Sequence, residues 1–281
     1  MKKLSLLLLF LIIYYNGQSQ TIDTLVNVGS YKLHFKITKG KGTPIVFEAG
    51  GGDDGSVWND LLKTLKDSVD ATLITYDRQG MGTSGIDTSK TDILNEVKGL
   101  EIGLAKLGYA KNLIFVSHSL GGSYSILYSS RNKKQVKGCV FIDINLPCFM
   151  TTQKTKEIKA AYADEMENLK RKRLVIYYLL SNYEETNNTL RATKYPANIP
   201  ATVISSDFPP YKGVDSISWK QCQKSFGTMK NHRYVLANNC GHYVFKDNPG
   251  MVISEIKRMY NRTKKVKMIG ERLRNRAVIR D

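Results

Sequence analysis

The sequence predicts an α/β protein: a mostly parallel central sheet, helices on both faces, and a small helical cap. Three observations point there. Short, near-continuous apolar runs recur with helical patterns between them, as expected for strands buried on both faces. At 281 residues the chain is long enough to build one large domain of this kind. From about Pro147 to Pro200 the alternation stops, and helix-forming sequence replaces it.

The chain opens on Lys2 and Lys3, followed by "LSLLLLFLIIYY" and the small polar stretch "NGQSQ". A charged start, a short apolar run and small residues before a cut are the order of a secretory signal, here residues 1–20, cleaved between Gly17 and Thr21. A membrane span needs roughly 20 apolar residues, more than this run supplies. The mature protein is therefore expected in a periplasm or outside the cell.

Two alternating runs, "DTLVNVG" and "YKLHFKI", flank a Gly-Ser pair and predict an antiparallel hairpin. Buried strands are expected at 44–49 ("PIVFEA"), 71–76 ("ATLITY"), 112–117 ("NLIFVS") and 138–144 ("GCVFIDI"), with helices over 57–67 and 91–107. The cap insertion spans about 147–199, and its stretch from Val175 to Tyr183 either walls a pocket or packs on the main domain. Two more strands follow at 201–206 ("ATVISS") and 233–238 ("RYVLAN"), then a helix from about Pro249 to Tyr260.

Formal net charge is +17, and the last 25 residues carry ten Lys or Arg. No Cys/His finger or aromatic RNA-binding motif accompanies this basic tail (262–281), so nucleic acid is not expected as a partner. A solvated helix face is the plain reading, with weak attraction to a membrane surface as the alternative. Cys139, Cys148, Cys222 and Cys240 lack zinc spacing, and export leaves zero, one or two disulfides open. Cys139, inside a strand, reads as an apolar filler.

The chemistry concentrates on "SHSLGG" (117–122). Ser119 stands where a strand ends and a helix begins, at the carboxyl edge of a parallel sheet, where such sheets bind ligands. A tight strand–turn–helix exposes the serine hydroxyl, and it needs small residues two before and two after because strand and helix crowd together. Gly121 and Ser117 are those residues.

With "FEAGGGDDGSVW", "TYDRQGMGTSG", "SHSLGG" and "NNCGHYVFKDNP" in this order, the chain resembles the α/β-hydrolase superfamily over about residues 24–261. Ser117 departs from it, since the family's G-x-S-x-G pattern has Gly there. The resemblance implies a nucleophile at Ser119, a general base at His242, and oxyanion donors from the backbone of Leu120 and Gly51. Two acids compete to complete the triad: Asp143, after the "GCVFID" strand, and Asp207, after "ATVISS". Asp77 and Arg78 read as organisers of a turn. Asp53 and Asp54 either bind a substrate amine or are solvated.

The expected activity is hydrolysis of a small-molecule ester or amide through an acyl-enzyme, with no metal or organic cofactor implied. An aminopeptidase resembling proline iminopeptidase is the nearest rival, with Asp164, Glu165 and Glu167 of the cap as candidate amine ligands. A non-catalytic binding protein that kept the fold is the alternative of another class. A dehalogenase would carry an attacking carboxylate where this chain has Ser119.

Overall fold

Each apolar run becomes a strand because its side chains find cover on both faces of one sheet. The structure, a computed structural model, describes residues 20–278, with side chains described as far as 264. The proposed signal (1–20) therefore lies outside the described residues apart from Gln20. Eight strands run β1 (Thr21–Asn27), β2 (Lys32–Thr38), β3 (Gly42–Glu48), β4 (Ala71–Tyr76), β5 (Leu113–His118), β6 (Val136–Ile142), β7 (Ala201–Phe208) and β8 (His232–Gly241). Their order across the sheet is β1-β2-β4-β3-β5-β6-β7-β8. The predicted hairpin is β1–β2, paired from Thr21↔Thr38 to Asn27↔Lys32, and β2 joins β4 antiparallel. From β4 to β8 the pairing is parallel.

Helices cover both faces. In chain order they are α1 (Asn59–Leu65), α2 (Ile93–Lys106), α3 (Gly121–Arg131), α4 (Thr152–Ala161), α5 (Met166–Lys172), α6 (Leu174–Ser181), α7 (Tyr183–Ala192), α8 (Gly213–Gly227), α9 (Val244–Asp247) and α10 (Pro249–Val278). On one face Val97, Leu100 and Leu104 of α2 and Ile126 and Leu127 of α3 pack with Phe115, Phe141 and Trp219. On the other, Trp58, Leu61 and Leu65 meet Val252, Ile256 and Met259 of α10. Both cores are large and buried, and that burial is the main source of stability.

The cap is helical as expected, being α4 to α7. Helix α8 has no counterpart in the sequence reading. Helix α10 continues through the basic stretch to Val278 rather than stopping near Tyr260. Among the described residues no helix is long and apolar enough to cross a membrane.

The cysteine question resolves to one bridge, Cys148–Cys222, while Cys139 and Cys240 stay free and buried. The bridge ties the start of the cap insertion to α8 across a sequence separation of 74 residues. Closing a loop of this length restricts the unfolded chain by about 4 kcal/mol. Reduction with dithiothreitol is thus expected to lower the melting temperature by roughly 10 °C, and Cys148→Ser should match it. An unchanged melting curve would show that the bridge contributes nothing.

Candidate active site

At the carboxyl end of β5 the chain must turn sharply into α3. Ser119 takes a left-handed backbone conformation there (φ +51°), uncommon for a residue other than glycine. Its N–H donates to Ile142 O at 3.1 Å, and its carbonyl accepts from Gly122 N and Asn145 N, both at 3.0 Å, so the surrounding backbone holds the strained turn. Gly121 is required by space: a Cβ there would lie 2.6 Å from Glu48 O and closer still to Ala49 O. Ser117, where the family has glycine, is fully buried, and its hydroxyl is hydrogen-bonded to that of Ser125, one turn into α3. The extra side-chain oxygen is tolerated because it has this partner.

The hydroxyl of Ser119 meets His242. Residue 242 follows β8, whose last residue, Gly241, donates its N–H to Asp247 at 2.7 Å and so fixes the loop. His242 Nε2 lies 2.9 Å from Ser119 Oγ, and its Nδ1 lies 2.6 Å from Asp143 Oδ2. These contacts select the tautomer in which Nδ1–H donates to the carboxylate and Nε2 accepts from the serine.

Of the two candidate acids the structure brings only Asp143 to the imidazole. It is fully buried just beyond β6, again with left-handed backbone (φ +46°). Its Oδ1 accepts from Ser206 N at 3.1 Å and Trp219 Nε1 at 2.9 Å, and Oδ2 accepts from Ser206 Oγ at 2.8 Å. Four donors, counting His242, therefore satisfy one buried carboxylate. Asp207 is the correction. At the outer end of β7 it accepts from Asn239 N at 3.3 Å and stands 3.7 Å from Lys220 Nζ, with no contact to His242. The sequence reading left Trp219, Ser206 and Gln223 unnamed as supports. Trp219 and Gln223 lie on α8, from which Gln223 Nε2 also donates to Ile144 O.

The two predicted oxyanion residues face each other. A Cβ on Gly51 would sit 3.6 Å from Leu120 Cβ, and among the described residues neither backbone N–H has an acceptor. Leu120 is the N-cap of α3, so its amide lies at the positive end of a helix dipole. Cap helix α6 covers this pair: a Cβ on Gly51 would be 3.9 Å from Leu179, and one on Gly52 3.5 Å from Ile176. Thus Val175 to Tyr183 does both things the sequence left open, walling the site while packing on the main domain.

The neighbouring acids have other work. Asp77 accepts from Gly55 N at 2.9 Å and Thr83 N at 3.0 Å, and Arg78 donates to Glu48 at 2.7 Å, which bears out their structural reading. Asp53 accepts from Tyr243 Oη at 3.1 Å; its charge, after burial, pushes the Tyr243 hydroxyl up to about 12. Asp54 caps the turn at Ser56 N at 2.8 Å. On the cap, Asp164, Glu165 and Glu167 are exposed and away from the pocket. Two other histidines are structural: His34 bridges Asp23 and Asp77 at 2.8 Å each, and His232 pairs with Phe226 O at 2.7 Å.

His118, read as merely part of the elbow, lies against His242. Its ring lies 4.5 Å from that of His242, and its Nε2–H donates to the His242 carbonyl at 3.0 Å. Burial, then the charge on His242, holds it well below the usual histidine range, so it stays neutral. A His118→Phe variant keeps the aromatic packing and orphans that carbonyl, at a cost of about 1–3 kcal/mol. The expected result is a lower kcat at unchanged KM, with a matching loss in urea denaturation; an unaltered kcat would deny the ring any positioning role.

Comparisons agree with this geometry. The family model described as the alpha/beta hydrolase fold matches residues 43–176. YqjL of Bacillus subtilis is 26% identical over 242 residues, 84% of this chain and 90% of its own. The esterase EaEST from Exiguobacterium antarcticum superposes with a TM-score of 0.63 at 15% identity, covering 85% of this chain and 100% of that one. A loop variant of the haloalkane dehalogenase DbeA from Bradyrhizobium elkanii gives a TM-score of 0.67 at 12% identity, over 89% and 99% respectively. With sheet order, motif order and family match in agreement, the chain has the α/β-hydrolase fold.

Proposed function

We propose that the chain is an exported serine hydrolase that cleaves a carboxylic ester or an amide through an acyl-enzyme. One observation carries this reading: the continuous path Ser119 Oγ, His242 Nε2, His242 Nδ1, Asp143 Oδ2, with links of 2.9 and 2.6 Å. Export rests on the order of residues 1–20 alone.

Ser119 Oγ attacks the carbonyl carbon while its proton moves to His242 Nε2. Asp143 stabilises the resulting imidazolium. The carbonyl oxygen, now carrying the charge, turns toward the Gly51 and Leu120 N–H groups, each worth roughly 2.7–4 kcal/mol at the transition state. Collapse breaks the bond to the leaving group, which takes the proton from His242. Water, deprotonated by the same imidazole, then attacks the acyl-Ser119 ester and releases the acid. The haloalkane dehalogenase likeness does not carry over as chemistry, because Ser119 stands at the attacking position.

A fluorophosphonate probe tests the nucleophile directly. The full chain is expected to be labelled on Ser119, and Ser119→Ala to escape labelling. Undiminished labelling of that variant would remove the assignment.

A further inference from the structure

Next to Leu120, a small space with a polar floor is left unused by the proposed reaction. A cavity of about 20 Å³ lies under α6, lined by Leu120, Val175 and Leu179 and by the polar side chains of Arg78, Glu96 and Tyr124. Holding one water takes roughly 10–15 Å³. The cavity therefore fits a small polar group and excludes a long alkyl chain.

Charge at that floor does not balance. Arg78 donates to Glu48 at 2.7 Å, to Ala49 O at 2.6 Å and to Gly50 O, and its guanidinium stacks 4.9 Å over the Tyr124 ring. Its single positive charge is thus committed to Glu48, which also receives the Tyr76 hydroxyl. Glu96, in the first turn of α2, is bonded to the side chains of Tyr124 and Gln79, both neutral. Gln79 is itself engaged with Lys90 O and Asp87 N. No described Lys or Arg forms an ion pair with Glu96. Two carboxyl groups face one guanidinium, and the surplus one lines the cavity.

We propose that this cavity takes a primary ammonium group carried by the substrate a few atoms from its scissile carbonyl, with Glu96 as the carboxylate that receives it. The substrate class is then an amine-bearing ester or amide. This rests on the Ser119 reading of the site and deepens it. An ammonium head is the size of a water, donates three hydrogen bonds and supplies the missing charge. Burial, opposed by Arg78, holds the Glu96 carboxyl up to about 7, as expected for a carboxylate short of a cation. Of the other groups around it, Arg78 and Tyr124 are both raised above their usual ranges, and Tyr31 and Tyr183 are raised as well. Tyr178 of the cap also lines the cavity. Burial, opposed by Arg78, also raises the Glu48 carboxyl, so a Glu96 variant is needed beside a pH series.

Binding of n-butylammonium and n-butanol is measured by calorimetry on the full chain, on its Ser119→Ala variant and on Glu96→Gln. Near pH 8.5 the ammonium should bind about ten-fold tighter than the alcohol in the first two. The preference should fall to about unity in Glu96→Gln, and near pH 5.5 in all three. A preference that survives Glu96→Gln, or none at the higher pH, overturns the proposal. If the glutamine variant melts early, Glu96→Ala takes its place in the same comparison, because the pH series alone does not separate Glu96 from Glu48. Preference without fluorophosphonate labelling would sink the hydrolase reading alone, and labelling without preference would sink this inference alone.

Discussion

Replacing Ser119 by alanine is expected to reduce turnover of a short-chain p-nitrophenyl ester by roughly 10⁵- to 10⁶-fold. The size follows from what is lost. Alanine leaves the Gly51 and Leu120 donors and the imidazole in place, so only the catalysis those can give without a nucleophile remains, on the order of 10³ over water. The fold should not suffer, because the serine hydroxyl bonds only to His242 while the turn is held by backbone contacts to Ile142, Gly122 and Asn145. Nitrophenolate release reads the activity, and a thermal melt checks the fold. A variant keeping even a tenth of the rate would mean that another group attacks.

Asp143→Asn is the second large effect: a fall of about 10⁴ in kcat with little change in KM. Three donors besides the imidazole converge on this carboxylate. An asparagine amide must point its NH₂ either at Trp219 and Ser206, donor against donor, or at His242 Nδ1, which then has to accept and so holds the wrong tautomer. The first choice also destabilises the fold by about 1–3 kcal/mol. Asp207→Asn, with only Lys220 and Asn239 nearby, should keep close to full activity. Equal, mild losses in the two variants would dismiss both carboxylates as the orienting acid.

Ser119, His242 and the oxyanion pair were legible because each is tied to a strand end, and strands buried on both faces announce themselves as apolar runs. All eight of the apolar or alternating stretches needed no other information. The acid was not legible, since Asp143 and Asp207 both follow buried strands. The choice between them depends on a left-handed turn at 143 and on donors 63 and 76 residues away, which no spacing encodes. Helix α8 escaped notice because its outer face carries Val214 and Ile217, 75% and 55% exposed, which blurs the amphipathic pattern. Glu96 was hidden for a related reason. It sits in a first helical turn, where acids are ordinary, and only the cap's placement turns it into a cavity wall. The disulfide needed coordinates, as four cysteines permit three full pairings.

Ser119 and Asp143 each hold a left-handed conformation that glycine or asparagine would adopt at less cost. Both lie in the proposed triad, so the groups that the proposed chemistry needs most are also those the polypeptide is least content to keep. Breeding this chain for heat tolerance alone, with no assay of turnover, would erode those two positions first. A hardened descendant could then melt late and do nothing.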